Sequence, residues 1–303
     1  MSLMTEPTPY AGRFDVRRWW SNGNALPYLL LLPSVLVIGV VILVPFFQAL
    51  QYSFTNGSLL QAGDFVGLNN YGKLFGSRDF WNAFRFSVIF AVANVVGCYV
   101  LGLALALLMN MEMPCRGFFR VALLLPWIIP SVVSIVSWRW MVADHNAVVN
   151  QIIQLLGGRP IFFLSNNDWA QFVVVLIKIW RSFPFMMLSL LAALQGIDRT
   201  LYEAAALDGA TKWDAFRHVT MPQIRDVSII LCLLMTIWTV NDFDTPWLLT
   251  QGGPANSTEN FVLLAYKYTF ARNDLGTGAA ISFVTLIILM VFIVIMLRRQ
   301  REP

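Results

Sequence analysis

The most informative side chains lie where polar groups are scarcest. Lys178, Arg181, Asn241, Asp242 and Asp244 all fall inside long apolar runs. Ionisable groups in such runs usually face a cavity or pair with one another. Two arrangements are open. Lys178 or Arg181 can pair with Asp242 or Asp244 and lock two helices together. Alternatively, these groups line a polar cavity with Trp180, Phe185 and Trp238 as walls and Ser182 adding a hydroxyl. That chemistry suits a sugar, whose hydroxyls need hydrogen-bonding partners and whose ring face needs an apolar surface. The two are compatible, since one residue can pair while another binds. Arg139 sits close enough to the outer end of its run to reach the interface.

For catalysis the chain offers little. Cys98 and Cys232 lie in apolar runs and Cys115 in a short polar connection, with no C-x-x-C spacing for a disulfide frame or a metal. His145 and His218 have no companion at ligand spacing and read as surface residues. Gly67 to Lys73 matches the G-x-x-x-x-G-K spacing of a phosphate loop, but Leu74 follows where Mg²⁺ needs a hydroxyl. A flanking strand and helix are not expected there either. No metal, nucleotide or other cofactor is therefore expected on this chain.

These residues must be positioned by helices in lipid. Hydrophobic residues make up 57% and charged residues 13% of the 303 positions, against about 25% charged in a soluble domain. The formal charge of +4 could suit nucleic acid. However, Lys and Arg cluster in short segments flanking apolar runs, which is a topology signal and excludes a nucleic-acid face. Six stretches are long enough to cross a bilayer: 26–52, 82–110, 117–142, 169–194, 225–249 and 275–298. Pro27, Pro33 and Pro45 in the first, and Pro126 and Pro130 in the third, are tolerable where neighbours satisfy the freed carbonyls. The first run has no small-residue cleavage site after it and reads as an uncleaved anchor.

Arg13, Arg17, Arg18, Arg116, Arg120, Arg199, Lys212, Arg217, Arg225, Arg298, Arg299 and Arg301 fall on one side of these spans. Fewer cations (Lys73, Arg78, Arg159, Lys267 and Arg272) fall on the other. Both termini are thus expected in the cytoplasm, as an even number of spans requires. The chain then divides into a cytoplasmic segment 1–25, a six-helix membrane domain 26–298 and a cytoplasmic tail 299–303. The outer connections are too short for a domain of their own. In one of them Val148, Val149, Ile152, Ile153 and Leu156 predict a short amphipathic helix.

The cytoplasmic loop 198–224 reads as two short helices joined at a glycine. Thr200 and Glu203 have capping-box spacing, Asp208-Gly209 stops the first helix, Thr211 and Asp214 open the second, and Pro222 ends it. Ala204, Ala205 and Ala206 leave one backbone nearly bare, while Trp213, Phe216 and Val219 make an apolar stripe on the other. Such a face can dock on a partner or fold back on its own helix ends.

The segment EAAALDGATKWDAFRHVTMP resembles the EAA loop of binding-protein-dependent ABC importer permeases. Glu203, Ala204, Ala205, Asp208, Gly209, Ala210 and Pro222 match its pattern, and Met221 stands where leucine is usual. FVGLNNYGKLF, RGFFRVALLLPWIIPSVVSIVSWRWM and NDFDTPWLLTQGGPANSTEN are similar to segments of the carbohydrate-type, maltose-permease-like group. The resemblance implies an all-α, type I importer permease in the cell membrane. It further implies a second homologous permease, an ABC ATPase dimer that holds ATP and Mg²⁺, and an extracytoplasmic substrate-binding protein. It assigns Glu203–Pro222, with Phe216, to ATPase coupling. Sugar contact falls to the segments holding Trp180, Ser182, Phe185, Trp238, Asn241 and Asp242, where Arg181 departs from the pattern. A glycerol phosphate importer and a self-contained secondary transporter are the alternatives.

Overall fold

A computed structural model describes residues 26–143 and 146–301. The expected segment 1–25 with Arg13, Arg17 and Arg18, the surface residue His145, and residues 302–303 lie outside the described residues. The chain divides into two compact units, Met1–Gln51 and Tyr52–Pro303. Helix α1 (Leu26–Tyr52), 27 residues long and continuous through Pro33 and Pro45, belongs to the first up to Gln51.

In the second unit, the regular secondary structure of the described residues is helical apart from an isolated bridge between Thr55 and Phe65. In order they form α2 (Asn69–Phe75), α3 (Arg78–Asn110), α4 (Arg116–Ile128), α5 (Ser131–Val142), α6 (Val148–Leu155) and α7 (Asn167–Gln195). Next come α8 (Arg199–Leu207), α9 (Lys212–Gln223, through a π turn at Phe216–Thr220), α10 (Arg225–Val240) and α11 (Asp244–Thr250). The chain closes with α12 (Phe261–Ala271, through a π turn at Lys267–Ala271) and α13 (Leu275–Arg301). Four single helices, α1, α3, α7 and α13, are long and apolar enough to cross a membrane, and two bent pairs raise the count to six.

The frame is the pairing of α3 with α7. A Cβ on Gly102 would lie 2.8 Å from Met186 Cγ and 3.0 Å from the Met187 backbone nitrogen, so only glycine allows this approach. Cys98, Met186, Met187, Leu190 and Met235 are all at most 1% exposed in the resulting core, which draws in α10 as well. A second cluster joins α5 and α11 to the other end of α3 and α7, where Phe86 and Phe90 stack at 5.4 Å.

Three expectations need correction. The run 117–142 is not one continuous helix: α4 and α5 meet at 89°. Pro126 and Pro130 both lack an N–H, and Ile129, held extended by the proline after it, has φ −64° and ψ 131°. The run 225–249 is also broken, since α10 ends at Val240 and α11 starts at Asp244. Finally, the phosphate-loop look-alike does adjoin a helix, because Gly72 and Lys73 lie inside α2, leaving no loop to cradle a phosphate. The amphipathic helix forms as expected: in α6, Val149 and Ile153 pack on the second cluster while Val148 and Ile152 face outward.

Candidate functional site

Two sites emerge, one at the α8–α9 loop and one where α10 breaks. Helix α8 is opened by Asp198, whose carboxylate accepts the Thr200 N–H at 2.9 Å. Thr200 is therefore inside the helix and the expected Thr200–Glu203 box does not form. Asp208 follows as the C-cap, and Gly209 takes φ +80°. The Ala210 N–H donates to Ala205 O at 3.0 Å and the Gly209 N–H to Ala206 O at 3.1 Å, the paired bonds of a Schellman stop. Helix α9 starts with the expected capping box: Thr211 N donates to Asp214 Oδ2 at 3.0 Å and Asp214 N to Thr211 Oγ1 at 3.3 Å. The Thr200 N–H holds the carboxyl of Asp198, and the Thr211 hydroxyl, followed by the Thr211 N–H, holds that of Asp214, below the ordinary carboxylate value. Pro222 does not end α9 as expected. The wider π turn just before it accommodates a residue without an N–H, and the helix runs on to Gln223.

This loop is fixed on one side and bare on the other. Ile224 is fully buried in the core, and Tyr202 Oη lies 2.9 Å from Thr220 Oγ1. Against this anchor, Leu207 is 89% and Trp213 67% exposed, and Trp213 stacks on Phe216 at 5.4 Å. Glu203, Ala204 and Ala206 are exposed, Ala205 and Ala210 half-buried. His218 is a surface residue, as expected, with Nδ1 3.1 Å from Asp214 O.

At the second site one of the pairings open from sequence is present. Lys178 Nζ lies 3.0 Å from Asp242 Oδ2, with side chains 12% and 8% exposed. The same carboxylate accepts the Thr245 hydroxyl at 2.6 Å and the Thr245 N–H at 3.3 Å, taking up an orphan donor at the start of α11. The Asn260 amide donates to Asp242 O at 2.7 Å. The break in α10 is thus held from three elements. Arg181 gives only a 3.3 Å bond from Nη1 to Thr245 Oγ1, and its Nε is buried with no partner. Asp244 accepts the Ser131 hydroxyl at 2.8 Å, tying α11 to α5.

The aromatics fall in two groups: in one, Trp127 lies 6.1 Å from Phe185 and Phe185 4.9 Å from Trp238. Trp180 stands edge-on to Trp138 at 5.4 Å, and Ser182 is half-buried on the same helix. Asn241 parts company with Asp242. It is exposed and lines a 470 Å³ groove with Ile237 of α10, Phe261 of α12 and Thr285 of α13. Sequence reasoning missed Thr245, Asn260 and the buried pair Asn94–Thr239, whose side chains meet at 2.7 Å. The Asp242-x-x-Thr245 spacing could have signalled the first of these. Polar residues inside two apolar runs could have signalled the last.

The family model described as "binding-protein-dependent transport system inner membrane component" matches residues 98–301, from the middle of α3 through α13. The chain belongs to this family. The permease is 35% identical to the trehalose/maltose transport system permease protein MalF of Thermococcus litoralis, over 91% of this chain and 94% of that one. It is 36% identical to the inner membrane ABC transporter permease protein YcjO of Escherichia coli, over 94% and 98% of the two chains. Its fold matches a chain of a bacterial alginate ABC transporter, solved in complex with an alginate pentasaccharide-bound periplasmic protein. The TM-score is 0.83, at 20% identity, covering 94% of this permease and 98% of that chain.

Proposed function

We propose that this permease forms, with a second homologous permease, the membrane path of an ABC importer for a sugar, a di- or oligosaccharide or a related polyol. The observation that carries the reading is the α8–α9 loop, anchored through Ile224 and bare at Leu207 and Trp213, in a chain whose relatives include a named trehalose/maltose permease. An ABC ATPase dimer, holding the ATP and Mg²⁺, docks on Glu203–Pro222. An extracytoplasmic binding protein delivers the solute from the opposite face, a role supported by the periplasmic protein in the alginate complex. Six crossings follow if α4–α5 and α10 with its flanking segments each count as one, with both termini cytoplasmic by the charge pattern.

The loop has a direct mechanical route to the path. Helix α9 passes into α10 through the buried Ile224 at a 63° bend. ATP-driven closure of the ATPases would displace the loop, tilt α10 and move Trp238 and Asn241 at its far end. The cavity would then turn from inward-facing to outward-facing, and hydrolysis would reset it. Asn241, Trp238, Phe185, Trp180 and Ser182 contact the solute, while Asp242 and Asp244 hold the helix break.

Affinity purification in mild detergent tests the class. An ATPase and a second permease should co-purify, whereas a clean homo-oligomer would favour a secondary transporter. Trp238→Ala and Asn241→Ala should each raise the KM for uptake about tenfold, the loss of one buried contact, without loss of assembly. Unchanged kinetics would put the solute on the partner permease.

A second reading, a phosphate-bearing solute such as glycerol phosphate, is favoured by the unpartnered Arg181 Nε. Under it, Arg181→Gln selectively abolishes uptake of the anionic solute. Under the sugar reading, the same variant leaves the KM for a neutral sugar within about threefold.

A further inference from the structure

A polar cleft lies at the end of α3 and α7 away from the coupling loop. The first turns of α3, the start of α7 and the turn 255–257 enclose about 220 Å³. Asn82, in the cleft, is about 40 Å of helical rise from Asn110, which lies beside Glu203. The walls of the cleft are held in place by their own bonds. Gln171 Nε2 donates to Ser257 O at 2.8 Å, and Lys267 Nζ to Asn256 Oδ1 at 3.3 Å. Ala255 and Asn256 take φ +46° and +58°, a left-handed conformation that Asn accepts and Ala resists. Such strain persists only where the surroundings over-determine it, and it clusters at ligand clamps.

The lining carries both signs of charge and pairs neither. Arg85 of α3 and Asp168 of α7 both line the cleft. Among the described residues the ion pairs are Lys178–Asp242, Lys267–Glu259 and Arg272–Asp79, so both stay unpaired. Asn82, Asn167 and Asn256 add amides, a group that both donates and accepts. The Ser257 hydroxyl, in the same lining, is buried with no hydrogen-bond partner, a state that is rare in native proteins. One cation against one anion leaves no net charge to favour an ionic ligand. A neutral polyol fits this lining, because each of its hydroxyls also donates and accepts. Adjacent hydroxyls can bridge a guanidinium and a carboxylate. The volume is below the about 300–1,000 Å³ of drug-sized ligand sites and suits one sugar ring.

We propose that this cleft binds a single neutral sugar ring, as a holding site separate from Asn241 and Trp238. Asp168 accepts from one ring hydroxyl, Arg85 donates to its neighbour, and the Ser257 hydroxyl gains its missing partner. Ser257 lies three residues before Asn260, whose amide holds Asp242 O, so an occupant touches the segment that fixes the helix break. A part for this site in uptake rests on the sugar reading of the transported solute. The binding itself is read directly, so absence of a co-purifying ATPase would sink the importer reading and leave this measurement intact.

The test is saturation-transfer difference NMR with glucose. It uses the full-length chain with its co-purifying membrane subunits, in nanodiscs free of sugar detergents and of any extracytoplasmic binding protein. Glucose should give a signal that saturates at about 1 mM, as expected of so small a ligand. Arg85→Ala/Asp168→Ala removes one charge of each sign at exposed positions. Assembly should survive and affinity should fall about tenfold, the loss of charge-assisted bonds. Trp238→Ala/Asn241→Ala should leave the signal as in wild type. Absence of a signal from wild type overturns the proposal. So does a signal kept in the cleft variant, whether the path variant loses it or capture of the binding protein is lost instead. Loss in both variants overturns it too, because the two sites are then not separate. Binding of glucose 6-phosphate or glucosamine more than about tenfold tighter than glucose would make the ligand ionic and overturn it as well.

Discussion

Gly209→Val should bring uptake to background while membrane abundance and co-purification of the second permease stay normal. Gly209 has φ +80°, and a Cβ built on it meets nothing within 4 Å. The penalty is therefore one of backbone and not of packing, roughly 1–2 kcal/mol for an L-residue held left-handed, with β-branching worsening it. That is small against the stability of an all-helical membrane protein but decisive for a turn held by two backbone bonds, Ala210 N to Ala205 O and Gly209 N to Ala206 O. The chain escapes the strain by letting φ go negative, which swings α9 away from α8. Trp213 and Phe216 then no longer share a surface with Leu207 and Ala204, although Ile224 and the Tyr202–Thr220 contact still anchor the base. Gly209→Asn is the control, because Asn tolerates the left-handed region and should keep most of the uptake. Loss in both variants would mean that the partner needs the bare glycine itself. Retention in both, at equal abundance, would count against coupling through this loop.

The loop was legible because its signals are local. Gly209 needs no knowledge of its neighbours to stop a helix, and Thr211 with Asp214 caps the next within one turn. The errors there are local too: Asp198 outcompeted Thr200 for the cap, because its carboxylate reaches the Thr200 N–H. The membrane helices show the opposite pattern. Apolar composition found the runs but carries no direction, so the 89° turn between α4 and α5 was invisible even with Pro126 and Pro130 in view. The break at Asn241–Phe243 was hidden in the same way. It is made by Asp242 accepting from Thr245 and Lys178, and the cation comes from a helix more than sixty positions earlier. Lys178 and Arg181 are three residues apart on α7, at nearly the same depth and on neighbouring faces, so only packing could decide which one meets Asp242.

That pairing gives the second large effect. Asp242→Ala leaves the Lys178 ammonium, 12% exposed, beside the helix break with no counter-charge. Removing one partner of a buried ion pair costs about 3–5 kcal/mol, and Thr245 loses the acceptor for both its N–H and its hydroxyl. The thermal midpoint in detergent should fall sharply and uptake with it. Lys178→Met should cost less, since the carboxylate keeps both Thr245 donors. The informative variant is Lys178→Met/Asp242→Asn. The asparagine oxygen can still accept the Thr245 N–H, and no buried charge is left, a replacement that is often neutral or stabilising. Its midpoint should therefore return most of the way to wild type. Uptake separates the two roles open to Asp242. If it only locks α7 to the break, uptake recovers with the midpoint and the KM stays near wild type, leaving solute contact to Asn241 and Trp238. A restored midpoint with uptake still lost would make the carboxylate a solute ligand, because fold and function would then respond to different parts of the same side chain.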